Sequence, residues 1–397
     1  MKKVLNNDHI SIVGGAGHIG LPLALAFSQK NFKIHLIDKN KKNLKSIQNN
    51  KMPFLEIGAE KILNRGLKKK LFFFEDNLNF LHKSKFIIIC IGTPINNNLK
   101  PNLDNFYKLI KKIKQKIDKD QILIIRSSVY PGTIKKIQQI LKYKNDNIMY
   151  CPERIVQSKS LIELPKLPQI IATDNKNKIG ETKKLFKKIT SKIIETNILE
   201  AELIKLYSNA NRYINFAIAN QLFSICHKHN LSFKRIRNIM QDGYKRNLNL
   251  TNAGFTSGPC LLKDTMQLNS FCNNLFELGT AAMKINENIP NLIIDKIKKI
   301  KNYKKKTIGL LGLTFKGETD DIRDSLSIKL LKKLKKLKLK INQSDEYYKV
   351  DSNISKNQLI KRSEIIIIGA PHLAYKKLKI SKDKYLIDIW NFTNNYK

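Results

Sequence analysis

The sequence predicts an α/β protein in which two Rossmann-like, doubly wound α/β domains are joined by a central all-helical domain. Three observations carry that reading. A short apolar run opens into Gly15-x-Gly17-x-x-Gly20 near the N-terminus, the stretch from Leu199 to His229 contains neither Pro nor Gly, and a second strand, glycine, helix pattern begins at Thr307. At 397 residues the chain has room for two or three domains, each able to bury a core. Its 42% hydrophobic content excludes wholesale disorder.

Taken in order, Ile10 to Val13 reads as a strand, Leu21 to Gln29 as a helix at 3.6-residue periodicity, and Lys33 to Ile37 as the next strand, which together make a βαβ unit. Strand-like runs recur at Phe86 to Ile91, Ile122 to Arg126 and Ile148 to Tyr150, with helical stretches between them, so the first half is expected to form a mostly parallel sheet. Helical patterns then dominate from Leu199 to about Tyr303. Strands return at Thr307 to Leu311, Glu364 to Ile368 and Tyr385 to Ile389. The expected domains are residues 1–198, 199–302 and 303–397.

With 74 Lys and Arg against 32 Asp and Glu, the formal charge is +42, which raises nucleic acid or an anionic membrane surface as a partner. Lysine is spread through nearly every segment beside Asn and Ile, however, and reads as a global compositional bias. The densest run, Lys332-Lys333-Leu334-Lys335-Lys336-Leu337-Lys338, sets Leu330, Leu331, Leu334, Leu337 and Ile341 at helical spacing, as a solvated helix with one apolar face would. There is no RNA-binding aromatic motif and no zinc finger. A basic nucleic-acid-binding protein is nonetheless the rival of another class, since unspecific attraction to polyanions follows from charge alone.

No apolar run approaches the roughly 18 residues of a membrane-spanning helix, so no membrane partner is expected. Met1-Lys2-Lys3-Val4 followed by Gly14, Gly15 and Gly17 is unlike a secretory signal, and a cytoplasmic location is expected. Five cysteines without CxxC spacing argue against a disulfide framework or structural zinc. His227 and His229 beside Cys226 lie at i and i+2 of a helix, where side chains do not converge, so no metal is expected either. His372, in Ala370-Pro371-His372, follows a strand with no role fixed by its surroundings.

Three groups of residues carry chemistry. In the glycine motif the first glycine permits a tight turn, the second lets backbone amides approach a pyrophosphate, and the third allows close packing of the helix, whose N-terminus attracts phosphate. Asp38 closes the next strand eighteen residues after Gly20 and would accept hydrogen bonds from a ribose 2′-hydroxyl, which favours NAD over NADP. The alternative is a purely structural turn. Cys260 lies in Gly258-Pro259-Cys260-Leu261-Leu262-Lys263-Asp264. A thiol attacks carbonyls as thiolate and needs a charged neighbourhood, which Lys263 and Asp264 offer, but a small buried hydrophobe has the same local sequence. Lys205 and Asn209, four apart on a helix, fit either a solvated face or a pair that steadies an alkoxide or a water.

At these residues the sequence resembles the nucleotide-sugar 6-dehydrogenases, the family of UDP-glucose, GDP-mannose and UDP-N-acetylhexosamine dehydrogenases. The resemblance runs through Gly92-Thr93-Pro94, Arg126-Ser127-Ser128-Val129-Tyr130-Pro131-Gly132-Thr133, Cys151-Pro152-Glu153-Arg154, Gly312-Leu313-Thr314-Phe315-Lys316 and Asp320-Asp321-Ile322-Arg323-Asp324-Ser325, so it covers essentially the whole chain. It implies an NAD-binding domain, a central dimerisation domain giving a homodimer or higher oligomer, and a C-terminal domain for the UDP part of the substrate. It also implies two successive oxidations of the sugar C6 alcohol to a uronic acid, for surface polysaccharide synthesis.

By position, the resemblance makes Cys260 the nucleophile, Lys205 the oxyanion-stabilising lysine, Asn209 its partner, and Asp264 the carboxylate that orients water or acts as base. Glu153 matches a glutamate near the reacting sugar, and Ser128 a residue that helps place water. Cofactor contacts are implied at Gly15, Gly17, His18, Ile19, Gly20, Asp38, Thr93 and Ser128. Substrate contacts are implied at Glu153, Arg154, Lys205, Asn209, Gly258, Lys263, Lys316 and Arg323. The Cys-Pro-Glu-Arg form points to the branch acting on UDP-N-acetylhexosamines, above all UDP-N-acetyl-D-mannosamine, with UDP-glucose and UDP-N-acetylglucosamine as alternatives. Ser257 stands where related sequences often carry arginine.

Overall fold

A computed structural model describes residues 6–96, 98–142 and 147–393. The chain divides into two compact units, one ending at Tyr207 and the other starting at Ser208.

The first unit is built on an eight-stranded sheet of β1 (Asn6–Val13), β2 (Lys33–Ile37), β3 (Phe72–Glu75), β4 (Ser84–Ile89), β5 (Ile122–Ile125), β6 (Ile148–Tyr150), β7 (Gln169–Ala172) and β8 (Ile193–Thr196). Their spatial order is β3-β2-β1-β4-β5-β6-β7-β8. All neighbours are parallel except β6 and β7. Parallel strands covered on both faces read as continuous apolar runs, and the period-two alternation then sorts the side chains. Ile10, Ile12, Ile34, Leu36, Ile88 and Ile124 pack on one face with Leu21, Leu23 and Phe27 of the helix Gly20–Ser28. Val13, Ile37, Ile87, Ile89, Leu123 and Ile125 pack on the other with Phe106, Ile110 and Ile113 of Asp104–Lys114 and Ile134, Ile137 and Leu141 of Thr133–Leu141. A slip of one residue in β4 would exchange the two sets, so the register is strongly specified.

The strand order reverses between β1 and β4. Ligands of open α/β sheets bind at the carboxyl ends of the strands flanking such a reversal, and the loops that begin at Gly14 and Cys90 emerge there.

The helix Ile198–Lys228, expected over Leu199–His229, runs from the first unit into the second. The second unit adds the helices Phe233–Gln241, Leu261–Phe271, Glu277–Glu287 and Ile289–Lys298. A four-stranded parallel sheet follows, made of β9 (Ile308–Leu311), β10 (Ile341–Ser344), β11 (Ile365–Ile368) and β12 (Tyr385–Ile387) in the order β10-β9-β11-β12. In β11, Ile365 and Ile367 join a core with Leu326, Leu330 and Leu334 of the helix Leu326–Lys336, while Ile366 and Ile368 face Leu359 and Tyr375.

The lysine-rich run is a solvated helix face, with Lys332, Lys333, Lys335 and Lys336 exposed over buried Leu330, Leu331 and Leu334. Two of its expected apolar positions fall elsewhere. The helix stops at Lys336 and Lys338 takes φ 55°, so Leu337 lies 44% exposed and Ile341 begins β10 instead of continuing the stripe. Among the described residues no helix is long and apolar enough to cross a membrane.

Candidate active site

In the first unit the glycine loop follows β1. Gly14 takes φ 85°, and the Gly14 and Gly15 amides donate to Ile37 O at 2.8 and 3.2 Å, which ties the loop to β2. A Cβ on Gly20 would lie 2.2 Å from Gly14 O, so the helix can start this close to the strand only with glycine there. At the end of β2, Asp38 Oδ2 accepts from Ala16 N at 3.0 Å and Oδ1 from Asn40 N at 2.9 Å. Its carboxylate is thereby held against the loop, where a ribose would reach it. Ile19 is the N-cap of the helix Gly20–Ser28. His18 packs on Phe54 with ring centroids 4.1 Å apart, and its Nδ1 lies 3.1 Å from Gln157 Nε2. Thr93, after β4, donates through Oγ1 to Ser128 O, after β5, so two loops at the carboxyl end of the sheet are joined. These residues fit a dinucleotide.

Glu153 lies beyond β6 and is buried. Its Oε1 accepts from Arg154 N at 2.7 Å and Ile155 N at 3.0 Å, and its Oε2 pairs with Arg126 Nη2. Arg126 Nη1 donates to Gln169 Oε1 at 2.8 Å and Cys151 O at 3.3 Å, and its guanidinium lies 5.3 Å from the centroid of the Phe186 ring. Arg154 Nη2 donates to Pro168 O at 2.6 Å. Lys205 is half-buried on the long helix.

In the second unit Cys260 is exposed and stands at the N-cap of the helix Leu261–Phe271. One turn on, Asp264 is fully buried; Asn209 Nδ2 donates to its Oδ2 at 2.5 Å and Lys263 Nζ lies 2.7 Å from its Oδ1. Three predicted residues thus converge next to the predicted nucleophile. Gly258 takes φ 106° and sits so close to Phe315 that a Cβ would come within 2.4 Å of the ring. Lys316 follows Phe315 with its Nζ 5.9 Å from that ring's centroid. Arg323 is gripped by Asp321, whose Oδ1 accepts from Nε at 3.0 Å and whose Oδ2 accepts from Nη2 at 2.6 Å.

Three of the other thiols are unsuited to nucleophilic attack near neutral pH. Burial pushes Cys90 and Cys151 up to about 12, and burial raises Cys226 as well. Cys272 is half-buried at the opposite end of the Cys260 helix.

The UDP-glucose/GDP-mannose dehydrogenase family matches this chain in all three of its parts: the NAD binding domain over residues 8–190, the central domain over 199–288 and the UDP binding domain over 309–395. The chain belongs to this family. It is an NAD-dependent nucleotide-sugar dehydrogenase. It is 25% identical over 394 residues to the UDP-N-acetyl-D-mannosamine dehydrogenase of Pyrococcus horikoshii, covering 94% of this chain and 93% of that one. It is 27% identical over 333 residues to the UDP-glucose 6-dehydrogenase of Rickettsia bellii, covering 81% and 77%. Among solved structures, the P. horikoshii enzyme aligns with a TM-score of 0.87 at 24% identity, covering 98% of this chain and 96% of that one. The Staphylococcus aureus UDP-N-acetyl-mannosamine dehydrogenase Cap5O aligns with the same score at 23% identity and the same coverage. At these identities the structural likeness establishes the fold.

Three supporting residues of the dehydrogenase escaped sequence reasoning. Arg126 directly follows β5, which is all Ile and Leu, and that lone charge was the available signal for a buried ion pair. Glu202 is buried on the long helix and accepts from Gly132 N at 2.7 Å and Ile134 N at 2.9 Å, so it caps the helix Thr133–Leu141 from outside. His372 is fully buried, with Nε2 3.1 Å from Thr314 Oγ1 and 3.2 Å from Asp345 Oδ2, while Nδ1 accepts from Glu318 N at 3.0 Å. It braces both ends of the segment that carries Phe315 and Lys316.

Proposed function

We propose that this dehydrogenase oxidises the C6 alcohol of a UDP-N-acetylhexosamine, UDP-N-acetyl-D-mannosamine first among them, to the uronic acid for surface polysaccharide synthesis. The observation that carries the proposal is Cys260: an exposed thiol at a helix N-terminus, beside a buried Asp264 held by Asn209 and Lys263. NAD, when bound, supplies the acceptor for each hydride leaving C6. Cys260, as thiolate, adds to the C6 aldehyde to give a thiohemiacetal, and after the second oxidation it holds C6 as a thioester. Water then attacks the acyl carbon, releasing the carboxylate and returning the thiol.

The remaining residues take their roles from what each step requires. Lys205 offers a fixed cation to the developing oxyanion, with Asn209 beside it. Asp264 orients water or accepts its proton, and Ser128 helps to place that water. Glu153 and Arg154 bear on the sugar, and Gly258, Lys263, Lys316 and Arg323 on the nucleotide and sugar. Gly15, Gly17, His18, Ile19, Gly20, Asp38, Thr93 and Ser128 hold the dinucleotide. In this reading residues 1–198, 199–302 and 303–397 are the NAD-binding, central and UDP-binding domains, and the enzyme works in the cytoplasm. Its oligomer is a dimer or larger, for which Ile218 and Ile225, seven residues apart on the long helix and each 48% exposed, are candidate contacts.

The substrate assignment rests on Cys151-Pro152-Glu153-Arg154 and on the names of relatives matched along nearly the full chain. UDP-glucose is the second reading, favoured by the similarity to the R. bellii enzyme. Following NAD reduction with UDP-N-acetylmannosamine, UDP-N-acetylglucosamine and UDP-glucose in parallel separates them. Highest kcat/KM with the first is expected, and turnover of UDP-glucose alone would overturn the assignment.

A further inference from the structure

We propose that His372 is a positioning residue for the nucleotide sugar: as a neutral imidazole protonated on Nε2, it latches residues 313–318 in the shape that presents Phe315 and Lys316. The inference rests on the reading of Lys316 as a contact to the nucleotide sugar and adds the group that holds its backbone in place.

The partners of the ring decide where its proton sits. Glu318 N can only donate, and it lies 3.0 Å from Nδ1, so that nitrogen presents a lone pair. Asp345 Oδ2 lies 3.2 Å from Nε2 and also accepts from Leu313 N at 2.6 Å and Thr314 N at 3.2 Å, so it faces Nε2 as an acceptor. Thr314 Oγ1, 3.1 Å from the same nitrogen, donates to Lys316 O at 2.9 Å and is left to accept from Nε2 as well. A doubly protonated ring would set Nδ1–H against Glu318 N–H. The Glu318 carboxylate, with Oε1 3.9 Å from Nδ1, is taken up elsewhere, by Leu373 N and the Tyr347 hydroxyl at 2.8 Å each. Tyr347 and Tyr375 stand edge-on to the imidazole, with centroids 5.1 and 5.3 Å away.

The imidazole thereby ties the end of the loop to its start. Leu313 N and Thr314 N are held on Asp345, Lys316 O on Thr314 Oγ1, and Glu318 N on His372. Glu318 takes φ 55°, a left-handed conformation that a residue with a side chain keeps only where its surroundings fix it. Gly317 is so close to Pro371 O that a Cβ would come within 2.3 Å, so the loop has no slack there. Phe315, in the same loop, packs on Gly258, and its O lies 3.4 Å from Ser257 Oγ, so the latched shape also bears on the segment that leads into Cys260. Asp345 does not depend on the ring, because Tyr347 N and Tyr348 N donate to its Oδ1 at 2.9 Å and four amides hold it in all. The bond that matters is the one from Glu318 N to Nδ1.

Two substitutions separate that bond from packing. In His372→Asn, Oδ1 takes the place of Nδ1 and accepts from Glu318 N, although the side chain is much smaller. In His372→Gln the size is closer to histidine, but the amide lies one bond further out, beside Asp345. The test is calorimetric titration of the full chain with UDP alone and, separately, with NAD. UDP affinity is expected to stay within about threefold of the parent in His372→Asn and to fall about tenfold in His372→Gln. NAD, whose glycine loop lies in the other unit, is expected to bind all three proteins equally. Packing alone would reverse the order, so UDP binding as tight in His372→Gln as in the parent, or tighter than in His372→Asn, overturns the proposal. Neutron diffraction from crystals of the parent needs no variant: deuterium on Nε2 alone is expected, and deuterium on Nδ1 overturns the latch. Lys316→Met is expected to weaken UDP about tenfold. An unchanged affinity there overturns the reading of Lys316, and the proposal with it, even where deuterium is found on Nε2 alone, so the two failures are told apart.

Discussion

Cys260→Ser is expected to lower uronic acid formation by about 10³-fold or more while leaving NAD affinity within about twofold of the parent. The reason lies in the atom. A thiolate at a helix N-terminus is accessible near neutral pH, whereas a serine alkoxide is not, and the hydroxyl needs a strong base to attack an aldehyde. The NAD loop lies in the other unit of the chain and keeps its own supports, Gly14 and Gly15 on Ile37 and Asp38 on Ala16. Steady-state kinetics with product identification, together with a direct NAD titration, checks both halves of the expectation. Full turnover by the serine variant would remove covalent catalysis from the account. Loss of NAD affinity in parallel would mean that the substitution had damaged more than the sulfur.

The largest stability effect is expected at Arg126. Arg126→Met removes the guanidinium that pairs with Glu153 and spans Gln169 and Cys151, and it strands a carboxylate in a buried site. Removing one partner of a buried ion pair costs about 3–5 kcal/mol, much more than the pair itself contributes, because desolvation of the remaining charge is no longer offset. Urea unfolding should show that loss for the single variant. The double variant Arg126→Met, Glu153→Gln should recover a large part of it, since no uncompensated charge remains. A loss below about 1 kcal/mol would mean that water reaches Glu153 and that the pair is not the buried device described above.

Much of the architecture was legible in the sequence because its strands are buried on both faces and therefore nearly pure Ile and Leu. β5 and β11 announce themselves in this way, and β1 and β4 do so over their apolar ends, Ile10–Val13 and Phe86–Ile89. β10 does not: Ile-Asn-Gln-Ser at a sheet edge carries no strand signature, and it forms because β9 offers a free ladder. The antiparallel pairing of β6 with β7 is equally silent, since direction depends on how a connection returns and leaves no mark on the residues paired.

The candidate site divides along the same line. The glycine loop and Asp38 are local patterns, and the structure assembles them as their spacing requires. The convergence of Asn209 on Asp264 joins residues 55 positions apart, and that of Arg126 on Glu153 joins residues 27 apart. Spacing cannot announce such contacts; resemblance to a family named both residues of the first pair but set Asn209 beside Lys205, and the fold revealed both contacts. His372 shows the opposite limit. Its motif was visible, but burial among Thr314, Glu318 and Asp345 had to be seen before it could be understood as a brace.

The central claim is that one sulfur carries the sugar carbon between two oxidations within a single site. Counting NADH formed per molecule of sugar nucleotide consumed, with the product identified, tests it most directly. Two NADH and a uronic acid are predicted; one NADH with an aldehyde or ketone accumulating would contradict the account.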